Sequence, residues 1–485
     1  MKKMLSRATS GILAMTMVMS LCACGGQSAA TSETKAPETQ AASASKTEAA
    51  ADNAAGNAAG EAASGTEAAQ PAGEPVYINE NASELTGEVR FYTAFAEEVG
   101  TGALIADFNQ YYPNVKVIPT VYKNNSDGNV AIDTAMIGGE VDVVLSFGVA
   151  NTAARWENNL FLDITDRLAA DNLDLVAEWG TDAYTLKDRV YSFPSGAMSY
   201  YVAINMDKWN EAGLGDLPAE WTWDEYLDAC RAMTKDGVYG GLDYSDKDSW
   251  VNRVRQVKGL NAYYGEDGMT DFDSELWAKA LQIEVDAEKE GIWYSKPDLS
   301  ANNLRNHQLF LGGQVATSVD CILTRYITSI DHDFMIGYAP YPVMEKGQEN
   351  YLSGPISYSH IGIAANCQDE EAAYAFAKFA ATLGNKYMYA SGHAGTWTGN
   401  NGDEILGVVF GTLEEAEKWV DPDGFNEYVV AAGKPAYAEN CIVAYTDIFD
   451  ILTEYTDYVL VGEMTVEEMM ADLKKYGDEA IEDAK

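Results

Sequence analysis

Three segments between residues 89 and 147 decide the fold: Val89–Phe95 reads VRFYTAF, Val115–Val121 reads VKVIPTV and Val141–Phe147 reads VDVVLSF. Each is short and rich in β-branched or aromatic residues. The third is almost wholly apolar, as a strand covered on both faces must be. Two segments with helical spacing separate them. Gly102–Tyr111 brings Ala103, Leu104, Phe108 and Tyr111 to one side and is stopped by Pro113, while Val130–Ile137 ends at Gly138-Gly139. Strand, helix, strand, helix, strand with short turns predicts right-handed βαβ units and a parallel sheet. Ligands of such sheets sit beyond the carboxyl ends of the strands, which points at Ala94–Val99 and Ser146–Asn151.

Outward from this core, the α/β pattern continues. Ser199–Ile204 (SYYVAI) follows a Phe193-Pro194 turn and reads as a strand. Thr222 and Glu225 stand as a capping box ahead of a helix, and Thr412/Glu415 and Thr465/Glu468 repeat the spacing. Asp369–Thr382 predicts an apolar helix and Val466–Ala484 a charged terminal one. About 410 residues exceed what one core usually supports, so two lobes are expected.

The start of the chain is different. Met1–Arg7 is basic, Gly11–Leu21 (GILAMTMVMSL) is apolar but shorter than a membrane span, and the pair reads as a secretory signal over 1–24. Residues 25–75 are Ala, Ser, Thr, Gly, Glu and Gln with almost no large apolar side chain, the composition of a disordered linker. As a random coil it would span about 40 Å. The chain has 32 Lys+Arg against 75 Asp+Glu, a formal net charge of −43, and almost all of the excess lies beyond residue 75. That balance excludes nucleic acid as a partner, because phosphate recognition needs basic patches. Cys230, Cys321, Cys367 and Cys441 are scattered and form no C-x-x-C pair, so buried thiols or one or two disulfides are expected.

Several of these segments, in order, resemble a known family. Leu21-Cys22-Ala23-Cys24-Gly25-Gly26 resembles a bacterial lipobox, with Cys24 as the lipidated residue. Leu104–Phe108, Tyr112–Val117, Ile137–Val144, Asn159–Thr165, Val190–Pro194, Ala203–Asp207, Trp221–Glu225, Phe310–Ala316, Ala372–Phe379 and Gly462–Met470 are similar to successive segments of the extracellular solute-binding proteins of ABC importers, the maltose-binding group. The resemblance implies a two-lobe α/β periplasmic-binding-protein-like (type II) fold with hinge-crossing segments. The first lobe would comprise 76–197 and 358–437, the second 198–357 and 438–485. It also implies a function: capture of a carbohydrate between the lobes and its delivery to a membrane permease, by a monomer anchored through Cys24 on the extracytoplasmic face of the cell membrane. A surface glycan-degrading lipoprotein, or a binder of a peptide or polyamine, is the alternative.

A sugar site combines flat rings with a few placed polar groups. The candidates are Phe95 and Glu97 after the first strand, Phe147 after the third, Trp250 after the Gly241–Asp248 turn, Asp320 after Val315–Val319, Trp397 in a loop of small residues, and Phe449 on a helix near the last crossing. For Asp320 the competing reading is a helix cap, and for Phe449 core packing. No catalytic residue, metal ligand or cofactor is expected: the four His form no H-E-x-x-H, and neither G-x-S-x-G nor G-x-x-x-x-G-K-[ST] occurs.

Overall fold

A computed structural model describes residues 74–180, 185–434, 436–438 and 443–484. The signal, the lipobox with Cys24, nearly all of the linker, and Cys441 lie outside the described residues. Among the described residues, ten strands form two sheets. They are β1 (Gly87–Thr93), β2 (Val115–Val121), β3 (Val143–Phe147), β4 (Ser192–Met198), β5 (Tyr201–Asn205), β6 (Thr317–Asp320), β7 (Ile336–Pro340), β8 (Ile356–Ile363), β9 (Ala394–Gly395) and β10 (Tyr437–Ala438).

The first sheet has the order β2-β1-β3-β8-β4-β9, with β10 beside β8. β1, β2 and β3 are parallel, as the βαβ reading requires. The rest departs from an all-parallel sheet: β8 runs antiparallel to both β3 and β4, because it re-enters this sheet from the second one. The connecting helices are Thr101–Tyr111 and Ser126–Ile137. Helix Glu370–Ala381 is buried along nearly its whole length against Phe91, Phe108 and Phe193. Asp142 explains the turn that precedes β3: its carboxylate accepts from the Arg90 backbone N–H at 2.8 Å and from the Arg90 guanidinium at 2.6–2.8 Å, locking β1 beside β3.

The second sheet, β6-β5-β7, is antiparallel throughout. One face packs on helices Met206–Glu211, Trp223–Met233 and Glu275–Glu290. The SYYVAI stretch is not one strand but a break between two, since Ser199 and Tyr200 carry the chain from β4 of one sheet to β5 of the other. The chain returns between β7 and β8, and leaves again after β10. Met198 pairs with Ile356, and Ile356 with Tyr437, so the first two crossings and β10 lie side by side.

Residues 402–430 differ from the expected division, which puts all of 358–437 with the first lobe. Ile405, Leu406, Val420 and Phe425 share a core with Tyr201, Ile336 and Tyr338. Ile336 and Val420 also form a β-bridge. The open edge of β7 offers backbone groups and an apolar flank, and this segment satisfies both. Two of the three capping boxes are complete, at Thr222/Glu225 and Thr465/Glu468. At Thr412 only the forward bond forms, because the Glu415 carboxylate pairs with Lys418 instead.

Candidate binding site

The carboxyl ends of β1 and β3 and the amino end of β8 lie at one edge of the first sheet. The end of β6, the start of β5 and the end of β7 lie together at one edge of the second. The Ser199–Tyr200 crossing, two residues long, joins one edge to the other, which brings the edges together.

At the first edge four rings converge. Phe95 meets Phe147 edge-on at 5.2 Å, and the His393 ring lies 5.4 Å from Phe95 and 5.5 Å from Phe147. Tyr358 stacks on His393 with an interplanar angle of 8°. Phe95 and Phe147 form the buried base of this cluster, while Tyr358 and His393 stay half-exposed. Burial, and then Arg325, push the His393 imidazole down to about 4, so it is neutral at neutral pH.

The second edge faces this cluster with Tyr200, Tyr244, Cys321 and the turn 244–248. Tyr200 and Tyr244 meet edge-on at 6.5 Å. Burial raises the Tyr358 hydroxyl, and the Asp246 and Asp248 carboxylates add to the rise. Asp248 is half-exposed, and burial raises its carboxyl too. The lobes touch where Gly392 (φ +91°) packs on the other side: a Cβ there would meet the Ile322 carbonyl and the Arg325 side chain at 2.9 Å.

Beside the crossings lies a cavity of about 320 Å³. Its wall includes Ser199, Tyr200, Tyr341, Asn350, Tyr428 and Lys434. Lys434 pairs with Glu427 at 2.9 Å and lies over the Tyr428 ring at 5.1 Å, and Glu220 adds a second carboxylate to the wall. The Ser199 and Tyr341 hydroxyls have no hydrogen-bond partner among the described residues.

Of the residues singled out by sequence, Phe95 and Phe147 come together at this edge. Glu97 is exposed on the turn that follows β1. Asp320 lies at the end of β6 but is fully buried, accepting from the Cys321 and Ile322 backbone N–H groups at 2.7 Å and from Asn306 at 2.5 Å. Burial pushes its carboxyl up to about 7. The helix-cap reading of Asp320 therefore describes its contacts. Trp250 lies away from both edges. It is fully buried in a separate core, against Trp277 at 5.9 Å, with Nε1 donating to Thr456 Oγ1 at 3.1 Å. Trp397 donates from Nε1 to Glu178 at 2.8 Å and packs edge-on against Tyr77, so its ring has a structural duty after all. Phe449 is half-buried and its ring stacks on that of Tyr445.

The residues that sequence reading missed are Tyr200, Tyr244, Asp246, Asp248, Tyr358 and His393. Only Tyr200 carried a signal, as the second residue of a run that had to leave one sheet. Cys230, Cys321 and Cys367 are free thiols. Among the described residues no group of His, Cys, Asp or Glu is arranged to hold a metal ion, and no helix is long and apolar enough to cross a membrane.

The family model described as bacterial extracellular solute-binding protein matches residues 86–387. No curated protein matches the chain. Among solved structures, a sugar transporter from Rhizobium etli in an open conformation is similar with a TM-score of 0.64 at 17% identity, covering 81% of this chain and 99% of that one. An ABC substrate-binding protein from Listeria monocytogenes in complex with cycloalternan gives 0.63 at 17% identity, covering 82% and 100%. A solute-binding protein from Agrobacterium vitis with bound D-mannitol gives 0.59 at 20% identity, covering 82% and 99%. These likenesses establish a shared two-lobe fold.

Proposed function

The chain belongs to the bacterial extracellular solute-binding proteins, and we propose that it captures a neutral carbohydrate between its lobes and passes it to an ABC permease, tethered to the membrane through Cys24. One observation carries the reading of the solute. Half-exposed rings at one sheet edge, Tyr358 and His393, face tyrosines and carboxylates at the other. Sugars present apolar C–H faces, which suit rings, and hydroxyls, which suit carboxylates and tyrosine oxygens. A neutral His393 adds a ring without adding charge. The cavity beside the crossings supports the same chemistry, since Tyr200, Tyr341 and Tyr428 bring rings to its wall beside the polar Asn350 and Ser353.

Closure follows if the solute binds the closed arrangement better than the open one. The three crossings supply the hinge. Binding without turnover is the expected behaviour. The test is calorimetric titration of neutral oligosaccharides, polyols, peptides and polyamines, with product analysis alongside. Saturable carbohydrate binding in the micromolar range, about 8 kcal/mol, with no release of reducing ends, is the expected result. Replacement of Tyr358 by Ala should weaken it by about 1 kcal/mol or more. Binding of polyamines alone, or glycan cleavage at catalytic rates, would overturn the reading.

A further inference from the structure

The second lobe holds an ionic cluster that solute capture as described does not use. The side chains of Arg253, Asp243 and Glu284 are 0–1% exposed, and that of Lys296 is 7% exposed. Arg253 pairs with Asp243 at 2.6 Å and with Glu284 at 3.2 Å, while Lys296 pairs with Glu284 at 2.6 Å. The Arg253 guanidinium lies over Trp223 at 4.4 Å. Two cations and two anions leave the cluster neutral. Stability alone is a poor reason for it, because desolvating four charges is costly and well-packed apolar side chains of similar volume often do as well or better.

The cluster does grip one stretch of chain. Asp243 accepts from the Tyr244 backbone N–H at 2.8 Å and from the Ser249 hydroxyl at 2.9 Å. Lys296 donates to the Ser249 hydroxyl at 2.6 Å and to the Asp246 carbonyl at 3.3 Å. The turn 244–248 is thus held at its start, middle and end, and it opens at Tyr244, whose ring meets that of Tyr200 in the crossing between the sheets at 6.5 Å. The Asp246 carboxylate pairs with Arg305 at 3.0 Å, which leaves Asp248 as the turn's acid without an ion pair among the described residues.

We propose that Asp243, Arg253, Glu284 and Lys296 are positioning residues for a solute-recognition turn, presenting the Asp248 carboxylate as an acceptor for solute hydroxyls. This rests on the solute-binding reading and names the part of the site that selects the solute. A charged cluster suits the task because its bonds are directional, whereas apolar packing would let the turn slide.

The test is a charge-balanced double variant, Glu284→Gln with Lys296→Met, which leaves the Asp243–Arg253 pair intact. Ser249→Ala is the milder companion, removing only the hydroxyl shared by Lys296 and Asp243. Both should keep the wild-type circular dichroism spectrum. Both should show faster amide exchange in 244–249, and the double variant should lose affinity for the best carbohydrate of the titration panel by about tenfold. Asp248→Asn should lower affinity in the wild type and have little further effect in the double variant. Unchanged affinity in both variants overturns the proposal, even where exchange quickens. Unchanged exchange in both overturns it as well. If no carbohydrate binds the wild type, the solute reading falls, and the exchange measurement still decides whether the cluster holds the turn.

Discussion

His360 shows how burial sets chemistry at a single residue. It is fully buried in β8, between the Ser192 and Ser357 hydroxyls, with its ring edge-on to Trp156. Burial pushes its imidazole down to about 3, against an ordinary 6.5. The unfolded chain therefore takes up a proton in a range where the folded one does not. Its stability contribution is complete above about pH 6.5 and is lost as pH falls toward 4, by an amount on the order of 3 kcal/mol. His307 and His393, both pushed to about 4, act with the same sign. Asp320 acts with the opposite sign, since burial raises its carboxyl. Thermal unfolding of wild type and His360→Asn at about pH 7 and 4.5 isolates the effect: the wild type should lose more stability on acidification than the variant.

At the scale of elements, the contact between the lobes depends on a glycine. Gly392 ends the turn Asn385–Ser391 with φ +91°, and the Ile322–Arg325 turn packs onto it. An Ala here meets both objections at once, an unfavourable backbone and a backbone carbonyl at 2.9 Å. Gly392→Ala should cost about 1–3 kcal/mol, read as a lower unfolding midpoint, and should weaken solute binding because closure brings these turns together. Strand ends and helix caps were legible at this scale because they depend on neighbours in the chain. β1, β2, β3 and the complete capping boxes all follow from local pattern. The break at Ser199–Tyr200 was not, because an apolar run looks alike whether it stays in one sheet or changes sheets. The burial of Trp250 was not legible for a similar reason: spacing from a turn does not tell whether a ring points into a core or out of it.

For the whole molecule, the adjacent crossings lead us to expect that lobe closure, if the solute drives it, runs through these short connections. A solute that binds only the folded protein also stabilises it. At a hundred times Kd the gain is about 2.7 kcal/mol, which should raise the unfolding midpoint and lower the radius of gyration seen by small-angle scattering. A rise in midpoint with no compaction would argue against closure on the solute. Acidic side chains dominate the body, and the polar faces of its helices carry most of them in water.

By itself the sequence determined the α/β class and the βαβ start. These rest on composition, period and adjacent residues. It also placed Phe95 and Phe147 at a sheet edge, because strand ends carry their own direction. Tertiary structure alone decided what stands opposite them. Tyr244, Asp248, Tyr358 and His393 come from separate parts of the chain, and only the two sheets and their crossings bring them to one gap. Periodicity tells a side chain which face of its own element it occupies; it does not tell which distant element covers that face.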